Sequence, residues 1–337
     1  MKTILQPNFL KQKRGTILVI TAVAMIAFLS FFSLVVDLGH IFVTKAELQN
    51  TADSAAMASI IEVMQGGVDT AQQVAVDFGQ VHQVAGSPIL VNPNDIVFGS
   101  YDFDASQFQA NGLPTNAVEV TARRADGALS GALPLFFADL FGKNFSNVTA
   151  TSRAVLDSRV TGLNTGNQLL PYSVLKDLVD ENGDGQFDVG RVLDVFPGHY
   201  APGNFGFLDL NNGSNGTPDL ADWIENGYDG DFIIPPGGSL EIEGNPGIHA
   251  ASLLSSFLSV VGQERFLPVH DAVTSQGANA TYNVVAILAV RILGVKLTGP
   301  QSQRYINVEI ISFTSSALAV DPDAPASTTL FKPRLSA

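Results

Sequence analysis

From Gly15 to Val36 the chain reads GTILVITAVAMIAFLSFFSLVV, with no Asp, Glu, Lys, Arg, His, Asn, Gln or Pro to interrupt it. A helix rises about 1.5 Å per residue, so this run is roughly 33 Å long and spans a bilayer core of about 30 Å. A cleaved signal peptide has a shorter apolar region of about 7–15 residues followed by small residues. Here Ala22 and Ala24 lie inside the run, and its exit is Leu-Val-Val-Asp-Leu-Gly. The pattern predicts a retained membrane anchor. Its flanks are unequal: Lys2, Lys11, Lys13 and Arg14 precede it, Asp37 ends it, and the next basic residue is Lys45. Basic flanks stay in the cytoplasm, which places the N-terminus inside and residues 37–337 outside.

Beyond Asp37 the helical period continues but becomes amphipathic. Leu38, Ile41, Leu48, Ala52, Ala55, Ile60 and Val63 fall near one face, with Lys45, Glu47, Gln49 and Asn50 mostly elsewhere. Gln65-Gly66-Gly67 supplies a stop. Anchor and extension together predict one near-continuous helix of about 50 residues. Asp69-Thr-Ala-Gln72 resembles a capping box and opens a second helix to about His82, with Val74, Phe78 and Val81 facing inward. Ile96–Tyr101, Ala117–Arg123 and Val148–Leu156 alternate as strands, and Leu133–Phe141 reads as a short apolar helix closed by Gly142.

The run Lys13-Arg14-Gly15, an apolar span, Val36-Asp37-Leu38-Gly39, then Glu47-Leu48-Gln49-Asn50-Thr51-Ala52-Asp53-Ser54-Ala55-Ala56 resembles the N-terminus of TadG/TadE-like (Tad/Flp) pilus-assembly proteins. Weaker likenesses continue at Asn116–Thr121, at Leu135-Phe136-Phe137 and at Gly203–Leu210. One position departs from pilins handled by prepilin peptidase, which carry Glu five residues after the cleavage-site Gly. Counting from Gly15, that place is Ile20. This favours a permanently anchored accessory protein over a fibre subunit.

Thr161–Gln168 (TGLNTGNQ) has the composition of a linker. After it, strand candidates are Val192–Val195, Phe205–Leu210, Phe232–Ile234, Ser239–Glu243, Phe266–Val269, Tyr282–Val295 and Arg304–Ser312, with helices at Leu220–Asn226 and His249–Val261. The last two strands are long and apolar, which suits the centre of a sheet. Thr314–Ala337 has the composition of a weakly ordered tail. The expected fold class is α+β: an N-terminal transmembrane helix continuing into a long amphipathic helix, a small pilin-like α+β domain, then a β-rich second domain. The boundaries are 1–14 (cytoplasmic), 15–36 (membrane), 37–160 (first outer domain), 161–168 (linker), 169–313 (second domain) and 314–337 (tail).

Composition narrows the chemistry. A net charge of −14 with 18 basic residues argues against nucleic acid as a partner. With no cysteine, disulfides and thiolate metal sites are excluded. The sharpest local motif is Asp180-Glu-Asn182-Gly-Asp184-Gly185-Gln186-Phe-Asp188. Oxygen-bearing side chains at loop positions one, three, five and nine, with Gly at six, match the first part of an EF-hand-like loop; Gln186 would offer its backbone carbonyl. Position twelve is Arg191 instead of the bidentate Glu, and Asp194 is a candidate replacement. The metal set is therefore Asp180, Asn182, Asp184, Gln186 and Asp188 for a structural Ca²⁺, and the same residues also fit a plain Asn-Gly/Asp-Gly turn. Pro218 and Asp219 read as a helix start, and Trp223 as a core anchor.

Enzyme signatures are missing: there is no His-Glu-x-x-His, Gly-x-Ser-x-Gly, phosphate-binding loop or Gly-x-Gly-x-x-Gly. The histidines (40, 82, 199, 249 and 270) are scattered, and His270-Asp271 with a distant Ser is the one set that suggests a triad. No catalytic residue, cofactor-binding residue or small-molecule substrate is assigned. The resemblance implies a non-catalytic, single-pass component of a Tad/Flp-type pilus-assembly or secretion apparatus in the bacterial inner membrane, with periplasmic domains. Its partners would be the lipid bilayer and other pilus-assembly proteins. A membrane-tethered surface adhesin is the alternative, and a tethered hydrolase a more remote one.

Overall fold

The computed structural model describes residues 13–196, 205–211, 213, 216–245, 250–274 and 280–336. The basic residues Lys2 and Lys11, together with His199 and His249, lie outside them. The fold is α+β: a long apolar N-terminal helix is followed by β-rich sheets and a few short helices. The chain divides into two compact units, 1–59 with 69–97 and 118–153, and 60–68 with 98–117 and 154–337.

One helix runs Lys13–Val81, with residues 13–59 and 69–81 in the first unit, and departs from helical geometry only at Gly67 (φ 78, ψ 179). The left-handed φ falls to a glycine, the residue that bears it without a Cβ penalty. The segments before and after it run back along each other, with the Ser59 hydroxyl donating to Ala71 O at 2.9 Å. Leu48, Ala52, Ala55, Ala56 and Ile60 are buried, as the amphipathic pattern requires. The second segment turns the other way from expectation. Ala71, Ala75 and Gly79 face inward, while Phe78 and Val81 are exposed and Val74 is only half-buried. The cause is close approach: a Cβ on Gly79 would meet Val91 Cγ2 at 2.5 Å, so this face admits only small residues.

Strands Ala117–Arg124 and Val148–Asp157 sit beside each other in the sheet order. Thr121 and Thr151 hydroxyls meet at 3.0 Å across them, and Arg153 pairs with Glu119 at 2.6 Å. The helix Leu48 and Ala52 share a core with Ala122, Leu133, Val148 and Ala150. The helix expected over Leu133–Phe141 is not formed. Leu133–Pro134 pairs with Phe145–Ser146 as a short hairpin, and only Ala138–Phe141 makes a single 3-10 turn, closed by Gly142 at φ 78. Pro134 has no N–H to give a helix, and the N–H groups of residues 136–138 are taken by a side chain described below.

The second unit is built on a seven-stranded mixed sheet. Its order is Val192–Asp194, Tyr305–Ile311, Thr281–Lys296, Glu264–Thr274, Tyr172–Leu175, Phe205–Phe207, with Leu240–Glu243 also paired to Thr281–Lys296. Only Tyr172–Leu175 and Glu264–Thr274 run parallel. The two long apolar strands hold the middle. One face packs Leu288, Val290 and Ile292 with Trp223 and Ile224 of helix Thr217–Asn226 and Phe257 of helix Leu254–Ser259. The other face packs Ile287 and Ala289 with Leu163, Phe232 and Leu318 of a three-stranded sheet. Along Thr281–Lys296 the parity of these faces switches: Tyr282 and Val284 share a core with Ile287. Register explains this, because Val269 pairs with Ala286 and His270 with Val284, leaving Val285 as a bulge.

Two further expectations are corrected. Residues 161–163 of the presumed linker belong to strand Val160–Leu163, and Thr161, Gly162 and Leu163 are buried. The C-terminal segment is not a loose tail: Leu318–Val320 pairs with Val160–Leu163, and Leu330–Ser336 forms a strand whose first residues pair with Phe313–Thr314. Few apolar residues are needed because Leu318, Ala324 and Leu330 are all buried and Arg334 reaches Asp157 at 3.1 Å.

Candidate functional site

From Ile17 to Leu29 the apolar helix presents its side chains outward. Leu18, Val23, Ile26, Phe28 and Phe31 are all more than 60% exposed, and it is the one helix, among the described residues, long and apolar enough to cross a membrane. Its buried stripe further along includes polar residues: Ser33, Asp37, Thr44 and Thr51 are all under a tenth exposed. Ser33 and Thr51 turn their hydroxyls onto Leu29 O and Glu47 O one turn back. Satisfied in this way, they let other backbone come close.

Two side chains on this helix then bind a strand. Lys45 Nζ donates to Thr149 O, and Gln49 Nε2 donates to Thr151 O at 3.3 Å. Four helical residues rise about 6 Å and two strand residues about 6.6 Å, so the two spacings match. Between them Glu47 accepts the N–H of Ala85 at 2.7 Å. The sequence pattern placed Lys45, Glu47 and Gln49 mostly away from the packing face. Their apolar stems and polar tips reach around it instead.

Asp37 is the other fixed point. It is 4% exposed, and its carboxylate accepts the N–H groups of Phe136 (2.8 Å), Phe137 (3.1 Å) and Ala138 (2.6 Å). Three successive backbone N–H groups aimed at one carboxylate form an anion cradle. The carboxylate that ends the apolar span therefore leaves solvent fully hydrogen-bonded. Its sequence position signalled the end of the span, but its partners a hundred residues away carried no signal.

Residues 15–60 match the family described as putative Flp pilus-assembly TadE/G-like, and residues 44–154 match that described as putative Tad-like Flp pilus-assembly. The N-terminal region is thus similar to the Tad/Flp pilus-assembly, TadE/G-like family. No curated protein and no solved structure matches the chain. The two Tad matches overlap at residues 44–60, the part of the helix that holds Lys45, Glu47 and Gln49. Thr149 and Thr151, which receive Lys45 and Gln49, fall within the second match. The sequence likeness thus coincides with the helix–strand docking.

Outside the Tad-matched region, the 180–188 loop has a compact shape. Asp180 is 6% exposed; its Oδ2 accepts Gly185 N–H at 3.0 Å, while its buried Oδ1 accepts no hydrogen bond from the described residues. Asn182 Oδ1 takes the N–H of Asp184 and Asp184 Oδ1 that of Gln186. Asp188 is engaged otherwise, by Glu181 N–H at 3.1 Å and by Arg191 at 3.2 Å, and Arg191 also pairs with Glu181 at 3.1 Å. Asp194 does not complete the loop: its Oδ1 accepts Phe196 N–H and Ile306 N–H. Among the described residues no three Asp, Glu or His side chains gather as a metal cluster.

His270 and Ser173 do meet, with Nδ1 and Oγ 2.6 Å apart, and both are fully buried. The pair ties the two parallel strands together, with Tyr282 edge-on to the imidazole at 5.0 Å. Asp271 takes no part in it, accepting instead from Asn283 at 2.7 Å. A cavity of about 320 Å³ in the second unit is lined by Phe187, Pro235, Val285 and Pro325, and Lys176 is the sole charged residue in its wall. Arg265, 3% exposed, donates to Ile224 O and Glu225 O at the end of helix Thr217–Asn226. Burial lowers its pKa, and the helix-end carbonyls offset part of that cost.

Proposed function

We propose that the chain is a non-catalytic, single-pass component of a Tad/Flp-type pilus-assembly or secretion apparatus in the bacterial inner membrane. The N-terminus is cytoplasmic, residues 37–337 are periplasmic, and the chain acts by packing against other assembly proteins. The observation that carries this reading is one helix that leaves the apolar span without a break and docks on the β-strand of its own Tad-matched unit. Such a helix passes the position of the anchor directly to the outer unit. The buried Ser173–His270 pair has no open face for a substrate, which supports a packing role over the hydrolase alternative. In the bacterium that carries the gene, deletion is expected to abolish Tad-type pili, with rescue by the full chain and no rescue by residues 38–337 alone. Unaltered pili after deletion would reject the assembly role and favour the adhesin reading.

The 180–188 loop is proposed to hold Ca²⁺ as a structural clip. The support is the buried, unpartnered Oδ1 of Asp180, left free because Oδ2 serves Gly185. Asn182, Asp184 and the Gln186 carbonyl would add further oxygens. Asp188 joins them only by giving up Arg191, which sets affinity toward the weak, extracellular class of about 10⁻⁴–10⁻³ M. Millimolar Ca²⁺ should raise the Tm of the detergent-solubilised full chain, and Asp180→Asn should remove the shift. No shift at several millimolar leaves the loop a turn.

A further inference from the structure

We propose that the 135–145 loop is a second membrane contact, lying in the headgroup layer on the outer side of the bilayer; this rests on the reading that residues 15–36 span it. Depth is the first argument. Leu135 and Ala138 line a crevice of about 130 Å³ with Ser33, Leu34, Asp37, Leu38 and Ile41 of the helix. Ser33 lies three residues inside the predicted span, about 4.5 Å below its end. The loop therefore reaches the depth at which Leu34 and Val35 are each 54% exposed to what would be lipid.

What the loop presents at that depth is the second argument. Phe136 is 64% exposed and Phe145 62%, with Phe137 at 36%. Phe145 stands opposite Pro134 in the hairpin, and Leu135 N–H donates to Asn144 O at 3.0 Å, so the phenylalanines share one tip. The Phe136 ring lies 4.8 Å from that of His40, one turn past Asp37. On the helix the exposed apolar surface also continues through Leu38, Phe42 and Val43, with no charge until Lys45. Beyond the hydrocarbon core a bilayer has roughly 5–8 Å of headgroup layer on each side, and this apolar collar is of that height.

Charge selects the mode of contact. The loop carries one Asp139 and one Lys143, both exposed, so it has no net charge. Its contact is apolar insertion and does not require anionic lipid. The Asp37 cradle fits the same account. A carboxylate at the edge of hydrocarbon is costly unless paired, and the inserted loop supplies its three N–H groups.

The absence of cysteine makes the test direct, since any introduced thiol is unique. Full-length Phe136→Cys, Phe145→Cys, Ile26→Cys and Gln73→Cys variants would carry a bimane label in phosphatidylcholine liposomes with spin-labelled lipid. These replacements leave the backbone donors to Asp37 in place. Labels at 136 and 145 should be quenched several-fold more than that at 73, with 26 quenched as a span control. Quenching at 26 with none at 136 or 145 overturns the loop contact and leaves anchoring intact; it would point to a protein partner at the tip. No quenching at 26 overturns both. Dependence of the 136 signal on added phosphatidylglycerol would reject apolar insertion.

Discussion

The two units bury polar groups for different ends. In the first, buried polar groups on the helix serve close approach: Asp37 binds three N–H groups, and Ser33 and Thr51 fold onto their own helix. In the second, several of them clasp strands, as Ser173 and His270 do. Asp157 is held by Arg159 at 2.9 Å and Arg334 at 3.1 Å, both guanidiniums lying over the Phe103 ring. The first unit is specified by side chains reaching backbone, the second by alternation of apolar residues around long strands.

Removing Asp37 should break the first unit most severely. Asp37→Ala leaves three N–H groups at residues 136–138 without their acceptor, a loss of about 3 kcal/mol. Limited proteolysis should then cut near residues 133–146 while the 281–311 strands stay protected. Equal loosening of both units would erase the comparison.

Asp157→Asn should act on the second unit with a slightly smaller effect, about 2 kcal/mol, because the freed arginines are partly exposed. The pH dependence has a defined sign. Burial pushes the Asp157 pKa up, but the hydrogen bonds from Arg159 and the charges of Arg159 and Arg334 outweigh it, so the folded value lies below the ordinary 3.8. A lowered folded pKa contributes stability above the unfolded value that is lost as pH falls through the folded one. Urea midpoints of wild type and Asp157→Asn should therefore converge below about pH 4. A constant gap from pH 7 to 3 would contradict the ion-pair account.

How much was legible follows the same division. Thr281–Lys296 and Tyr305–Ile311 were readable because continuous apolar runs mark strands buried on both faces. The bulge at Val285 was not, since it is set by register against Glu264–Thr274. Residues 161–163 read as linker because Thr161–Gln168 is rich in Gly, Asn and Thr, Gly162 among them. In the fold that glycine is close-packed, and a Cβ there would meet Phe232 O at 2.0 Å. The inward face of residues 69–81 was misread for the same reason, small residues carrying the packing while Phe78 points out. The oxygen-bearing residues of the 180–188 loop were visible as a motif, but the double pairing of Arg191 with Glu181 and Asp188 required the structure. Asp37 was visible as the end of a span and invisible as a ligand for residues 136–138.

The central claim is a chain anchored once, with its N-terminus inside and residues 37–337 outside. Single-cysteine variants at Gln6, Gln109 and Glu241 of the cysteine-free chain test it with a membrane-impermeant maleimide on spheroplasts. The account predicts that 109 and 241 label in intact spheroplasts and that 6 labels only after lysis. Labelling of 6 in intact spheroplasts with 109 and 241 protected would reverse the topology and contradict it.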